Sequence, residues 1–324
     1  MATTKITSPD LFDLGSLNTA LQLPNGTTAE RPTSPSTGEW RYNTTTNLVE
    51  FYDGGAWREL ESEDIPPIPS EHFKNSNFGG TNSAQSITQI GFQPDLIWFK
   101  ARTGTNAHAV FDSSRGNTKS IYPNSTDAQN TSTAGQDLTS FDSDGYSVGT
   151  VANAGSTNQL DIGIQAWCWK VNGGTTTSNG EGSISSTVQV NDKAGISIVE
   201  YTGNVTAGAT VGHGLSTAPS LIILKNLTRA GYGWLVYHQT VGATGALVLN
   251  TTSSTNTGVG YFNDTAPSST VFTLGNDTFG NYSGDPYIAY CFAEKPGIQN
   301  LAHTQALEMS NTLLLQKLDL SRHF

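Results

Sequence analysis

The chain has 324 residues, of which 35% are hydrophobic and only 13% are charged, and its formal net charge at pH 7 is -11. This charge argues against binding to nucleic acid or to an anionic membrane surface. No stretch approaches the roughly 20 apolar residues that a membrane-spanning helix needs, and the first residues lead into no apolar region of a secretory signal. The 34 glycines, together with many Ser, Thr and Asn residues, favour short strands joined by turns over helices.

Residues 1–23 are predicted to form a leader. A Ser-Pro pair at residues 8 and 9 could start a short helix, with the serine as its cap. Two interpretations stay open: an anchor that docks into another protein, or a flexible tail.

Residues 24–60 are predicted to form a small module of three β-strands joined by Asn- and Gly-rich turns. Three strands of about five residues cannot bury much surface by themselves, so the aromatic side chains of this module need a partner surface. We expect self-association or docking, with packing on a neighbouring domain as the alternative. The predicted assembly interface consists of Arg31, Trp40, Tyr42, Phe51, Tyr52 and Trp57.

Residues 61–72 are predicted to be a linker. An acidic stretch is followed by three prolines within residues 65–69, a composition typical of a stiff, extended spacer. This segment therefore marks a domain boundary.

Four landmarks then occur twice in the same order. The clearest is an aromatic-Cys-aromatic triplet, at residues 167–169 and again at residues 290–292, and the offsets between the four pairs of landmarks are 125, 126, 126 and 123 residues. Collinear matches at nearly one offset indicate a tandem duplication. We assign residues 73–174 to a first repeat, residues 175–194 to a linker and residues 195–297 to a second repeat.

Each repeat is predicted to be a β-sandwich of the jelly-roll type, which makes the fold class all-β with two tandem sandwiches. The apolar runs that begin at Leu96 and Leu221 are bounded by turn residues and predict strands buried on both faces. Cys168 and Cys291 are predicted to lie in two separate cores as free thiols, with their aromatic neighbours on the opposite, half-buried face. Leu96 and Leu221 are assigned to the same structural cores.

Residues 298–324 contain helix-forming residues without Gly or Pro and predict a short C-terminal helical tail. A marginal helix of this length needs packing to persist. It either joins an inter-subunit bundle or folds back onto a sandwich.

The sequence contains no recognisable motif for catalysis, for a metal or for a cofactor. The six histidines have no metal-ligand spacing, and the Asp-Ser-Asp-Gly segment at residues 142–145 lacks the later ligands of a calcium loop. No phosphate loop, dinucleotide fingerprint or nucleophile elbow is present. We therefore expect a protein that is not an enzyme, with no cofactor, no metal and no catalytic residue.

Two sets of motifs resemble bacteriophage proteins. Residues 28–32 (TAERP), 38–43 (GEWRYN) and 51–57 (FYDGGAW) resemble a small β module of phage tail fibres and other virion appendages. The repeats resemble a domain of unknown function from marine phage virion proteins. The matching pieces are residues 91–100, 141–146 and 166–170 in the first repeat, and residues 213–215, 218–222 and 287–292 in the second.

The resemblance implies a virion structural protein, assembled in the host cytoplasm, that forms a fibre- or spike-like appendage. In such proteins the small module lies near the virion-attached end and is often trimeric, so it implies a homotrimer whose residues 1–60 bind other virion proteins. The sandwiches would face outward and contact the host surface, with a glycan as a further partner. Two alternatives stay open: a capsid-surface decoration protein and a carbohydrate-binding module.

Overall fold

The computed structural model describes residues 23–60, 68–152 and 155–298. The predicted leader, most of the predicted linker and the predicted C-terminal helix lie outside the described residues. The chain divides into two units, residues 1–66 and residues 67–324. Within the described ranges, no helix has the length and apolar character to cross a membrane.

The first unit contains a four-stranded sheet with the order β1-β2-β3-β4. Its strands are β1 (Asn25–Gly26), β2 (Trp40–Asn43), β3 (Leu48–Tyr52) and β4 (Trp57–Leu60). The prediction of three strands missed β1, a two-residue strand that pairs parallel to β2. A 3-10 turn, Thr28–Glu30, follows β1.

The second unit begins with a β-sandwich that we call the first sandwich. Its larger sheet has the order β5-β13-β7-β8, and its smaller sheet has the order β11-β12-β6, with a short β10-β9 pair at one side. The strands are β5 (Phe73–Gly79), β6 (Gln85–Ile87), β7 (Leu96–Ala101), β8 (Ala109–Asp112), β9 (Lys119–Ser120), β10 (Asn130–Thr131), β11 (Leu138–Asp142), β12 (Gly145–Val148) and β13 (Gly163–Trp169).

The second sandwich follows directly. Its larger sheet has eight strands in the order β14-β15-β16-β23-β18-β19-β20-β21, and its smaller sheet is the pair β17-β22. The strands are β14 (Thr177–Asn179), β15 (Ser186–Asn191), β16 (Ile196–Thr202), β17 (Ala209–Gly212), β18 (Leu221–Asn226), β19 (Leu235–His238), β20 (Gly245–Val248), β21 (Asn256–Thr257), β22 (Val271–Leu274) and β23 (Pro286–Phe292). Two single-turn helices, α1 (Val259–Phe262) and α2 (Thr278–Asn281), lie in its loops.

The all-β fold class is therefore confirmed, and one assignment within it is wrong. Residues 175–194 are not a linker, because they contain the hairpin β14-β15, which extends the larger sheet of the second sandwich. The Ser-, Thr- and Gly-rich composition of this stretch is typical of a loop. However, β15 pairs with β16 and β14 pairs with β15, so the sheet stabilises both segments as strands.

The two sandwiches share a strand order and a register. The strands β5-β13-β7-β8 correspond to β16-β23-β18-β19. Cys168 lies opposite Ile97 in the first sheet, and Cys291 lies opposite Ile222 in the second. This common order is what a tandem duplication predicts.

The two larger sheets also pack on each other, which the sequence prediction of separate cores did not include. Side chains alternate along each strand, so Ile97 and Cys168 join the core of the first sandwich, whereas Leu96 and Trp98 point to a third core between the sheets. Leu221 and Ile223 enter this shared core from the second sandwich, and Ile222 and Cys291 join that sandwich's own core. Leu96 and Leu221 are thus buried between the sandwiches rather than inside them.

Polar side chains cross the same junction. Arg115 Nε lies 2.6 Å from Asp112 Oδ2, and the hydroxyl of Tyr290 donates to that same oxygen at 2.6 Å. Trp234 Nε1 donates to the carbonyl of Tyr122 at 2.9 Å. Because Asp112 and Tyr122 belong to the first sandwich and Tyr290 and Trp234 to the second, these bonds fix the two bodies in one relative position.

Candidate assembly interface

The sheet of residues 23–60 has two chemically different faces. Trp40 lies opposite Phe51 in register, and their rings stack with centroids 5.4 Å apart. Tyr42 lies opposite Val49, which lies opposite Leu60 on the next strand. Because side chains two apart on a strand share a face, these five residues form one apolar surface, which we call the aromatic face. Arg58, opposite Phe51, lies at the side of this face and pairs with Asp53.

The opposite face, which we call the charged face, is built around Glu50. Arg31 Nη2 donates to Glu50 Oε2 at 2.5 Å, and Arg41 Nε lies 3.5 Å from Glu50 Oε1. Asn43 Nδ2 donates to Glu50 Oε2 at 3.2 Å. Burial opposes ionisation of Glu50, but these hydrogen bonds and the two guanidinium groups outweigh it, so the pKa of Glu50 is lowered. The glutamate is therefore a buried anion held by cations.

Residues before the sheet cover this charged face. Arg41 Nη2 donates to the carbonyl of Thr27 at 3.1 Å, and the N–H of Thr44 donates to the carbonyl of Gly26 at 2.9 Å. Glu30 accepts from both the N–H and the hydroxyl of Thr27, which fixes the 3-10 turn above the sheet. Arg41 Nη1 is buried and has no hydrogen-bond partner among the described residues.

In this module the buried side chains are polar and the apolar ones are not buried, which is the reverse of the burial pattern of an ordinary small domain. Within residues 23–60, the buried side chains are Arg41, Asn43 and Glu50, and no apolar side chain is buried. Trp40 is 48% exposed. The ion pairs thus form the interior, and the apolar side chains stay at the surface.

The six residues predicted as an assembly interface do not lie together. Trp40, Tyr42 and Phe51 lie on the aromatic face. Tyr52 and Trp57 pack on each other on the charged face, with ring centroids 5.7 Å apart, and Arg31 binds Glu50 there. Sequence reasoning missed Glu50, Arg41 and Asn43, although alternation of these polar residues with aromatic ones was a usable signal.

Elsewhere the predicted site residues are buried in cores. Cys168 and Cys291 are free thiols with no exposed surface. Burial raises the pKa of Cys291 to about 12 and also raises the pKa of Cys168, so neither is a reactive thiolate at neutral pH. Across residues 23–60, 68–152 and 155–298, no three His, Cys, Asp or Glu side chains are grouped as a metal site requires.

Comparison with known proteins gives one match. A family model described as "Domain of unknown function (DUF7483)" matches residues 68–306, which include both sandwiches. No curated protein and no solved structure matches the chain.

Proposed function

The chain belongs to this family, DUF7483, whose function is unknown. On the resemblance of its motifs to phage proteins, we propose that it is a structural protein of a bacteriophage particle, a fibre- or spike-like appendage held by its N-terminal region. The observation that carries the proposal is the aromatic face of residues 23–60. An apolar surface on a module without an apolar core supports a role in assembly, because the module gains stability only when a partner covers that surface.

The occupant that we propose for the aromatic face is the same face of other copies of this chain, in a homotrimer. Trp40, Tyr42 and Phe51 lie side by side, so copies that meet around an axis bury them together. Aromatic side chains bury about 150–250 Å² each, and at about 25 cal/mol per Å² even partial burial of three rings stabilises each chain by several kcal/mol. The resemblance of residues 28–57 to a module that is often trimeric in phage appendages supports this stoichiometry.

The sandwiches supply the projecting part of the appendage. Their loops are rich in Ser, Thr, Asn and Gly, a composition typical of exposed recognition surfaces. We propose that they reach toward the host surface and bind a glycan there, and that the protein is not an enzyme. Capsid decoration and a free-standing carbohydrate-binding module remain the competing functions.

Light scattering on the full-length protein tests the assembly step. Trp40→Ser combined with Phe51→Ser should convert a trimer into a monomer, because both changes remove apolar area from the aromatic face. The matched control is Leu160→Ser, which changes an exposed leucine of the first sandwich that is 57% exposed. A wild-type protein that is monomeric at micromolar concentration, or a double variant that keeps the wild-type mass, contradicts the proposed interface.

Labelling of intact particles tests the location. Antibody against the sandwiches should label projections at the tail or at a vertex of the phage, whereas antibody against residues 23–60 should bind poorly, since other virion proteins cover that module. Uniform labelling of the head surface would favour capsid decoration instead.

A further inference from the structure

Strand β5 has an open edge. Its seven residues, Phe73–Gly79, pair with β13 along their whole length without a bulge. No strand of the described residues pairs with the other side of β5, which is the edge of its sheet. An edge of this length presents a row of backbone donors and acceptors that fit another strand.

The second sandwich shows what covers the equivalent edge. Phe73 of β5 lies opposite Trp169, as Ile196 of β16 lies opposite Phe292, so β16 is the counterpart of β5. The outer side of β16 pairs antiparallel with β15 over six residue pairs. The second sandwich therefore has a covered edge, whereas no described residue pairs with the same edge of the first sandwich.

Side-chain packing differs in the same way. A Cβ built on Gly214 would lie 2.7 Å from Val190 Cγ2 and 3.2 Å from Val188 Cγ2, because the valines of β15 cover that glycine. The counterpart, Gly91, has a similar positive φ of 89° against 74°, yet a Cβ built there would meet no atom within 4 Å. Within residues 68–152 and 155–298, the first sandwich thus has no counterpart of this strand or of the two apolar side chains that it supplies.

The sequence that precedes β5 differs from that of β15. β15 precedes β16 by four residues, and the same spacing before β5 selects residues 63–68, which include Pro66 and Pro67. Proline has no N–H to donate to a ladder and is excluded from most strand positions. The first repeat therefore has the edge strand β5, but the sequence before it does not resemble the hairpin that covers the equivalent edge in the second sandwich.

We propose that the outer edge of β5 binds an extended segment of another polypeptide as an added antiparallel strand. Its recognition chemistry follows β15, with a small β-branched residue in the place of Val188, facing Gly91. Lys74 is exposed on this edge and discourages indiscriminate pairing, so the partner carries a carboxylate opposite it. This inference does not depend on the proposed phage function, because it rests only on the two sandwiches.

The backbone groups available to the partner follow from the ladder. Lys170 N donates to the carbonyl of His72, and Gly80 N donates to the carbonyl of Ile162. Since inward and outward groups alternate along an antiparallel strand, Asn75 and Asn77 direct their N–H and C=O groups to the open edge. A proline at position 75 therefore removes an outward donor and leaves the pairing with β13 intact.

A fluorescent peptide with the sequence of residues 183–193 is the probe, and binding to the full-length protein is measured by anisotropy. Asn75→Pro should weaken binding about tenfold, whereas Asn75→Thr, which keeps the N–H, should not. Replacing Val190 in the peptide with glutamate should strengthen binding to the wild type and weaken it to Lys74→Glu.

Peptide variants keep the proposal testable if Asn75→Pro does not fold. In the covered edge Gln189 lies opposite Ile198, the counterpart of Asn75, so N-methylation at Gln189 should abolish binding and N-methylation at Val190 should not. Equal loss with both methyl groups, or no binding of any peptide, overturns the proposal. An oligomer that Asn75→Pro dissociates would instead assign the edge to β5 of a second copy and would also overturn it.

Discussion

Glu50 compensates two cations, of which Arg41 is almost fully buried and Arg31 is partly exposed. Its side chain has no exposed surface, and those of Arg31 and Arg41 are 29% and 6% exposed. A buried ion pair adds little net stability over apolar packing, but loss of one partner leaves the others uncompensated. The charged face therefore depends on this carboxylate more than on any single cation.

Glu50→Gln should lower the free energy of unfolding of the β2–β4 sheet by about 3 kcal/mol, since it removes the ion-pair partner of the buried Arg41 and leaves Arg31 only Glu59, whose Oε1 lies 3.9 Å from Arg31 Nη2. Hydrogen exchange of the amides in these strands measures the change in the full-length protein. Glu39→Gln, at an exposed glutamate of the same module, should leave the exchange unchanged. Unaltered protection in Glu50→Gln would show that the ion pairs do not hold the sheet.

The pH dependence has a defined sign. The pKa of Glu50 is lowered in the folded protein from its ordinary value of 4.5, so the unfolded chain binds the proton more readily. The stabilising contribution is complete above pH 4.5 and is lost as the pH falls through the folded-state pKa. Protection of β2–β4 should decline over that acidic range in the wild type and stay flatter in Glu50→Gln.

At the scale of single elements, one loop exists in two versions. The N–H of Asn82 donates to the carbonyl of Asn158, and the N–H of Val205 donates to that of Asn281 at nearly the same distance. Both residues have positive φ, 49° and 59°. Asparagine adopts this conformation readily, whereas a β-branched residue is strained in it. The second sandwich thus contains a strained residue that the first avoids.

Exchanging the residues at these two equivalent positions tests the strain. Val205→Asn should raise the free energy of unfolding by about 1 kcal/mol because it relieves the strain, and Asn82→Val should lower it by a similar amount or more. Asn82 also accepts a hydrogen bond from the N–H of Val151, which the valine would lose. Denaturant unfolding of both variants measures the changes. A destabilised Val205→Asn would mean that the valine makes a compensating contact.

The elements differ in how readily sequence reasoning finds them. The apolar runs at Leu96 and Leu221 predicted strands buried on both faces, because no loop or amphipathic strand has that pattern. The β14-β15 hairpin was missed because its Thr, Ser and Asn residues are also loop residues, and only its pairing with β16 makes it a strand. The aromatic residues of the small module were recognised, but their division between two faces depends on register, which short strands do not encode locally.

At the scale of the whole second unit, the shared core couples the two sandwiches. Ile223→Ala should destabilise by about 2–5 kcal/mol through a cavity between the sheets and should raise amide exchange in β7 and β13 of the other sandwich. Val259→Ala, at a residue of the second sandwich that is 56% exposed, should leave β7 and β13 unchanged. Exchange that rises only in the second sandwich would show that the two bodies unfold independently.

The burial of three central strands on both faces also limits where this family can diversify. A strand with one solvated side tolerates polar substitution at every second position, but β7, β18 and β23 have almost no such position. We therefore expect heritable variation to concentrate in the loops at the strand ends, on the outer strands and on the outer surfaces of the small sheets. New binding specificities could then arise at those positions without altering the buried strands that maintain the fold.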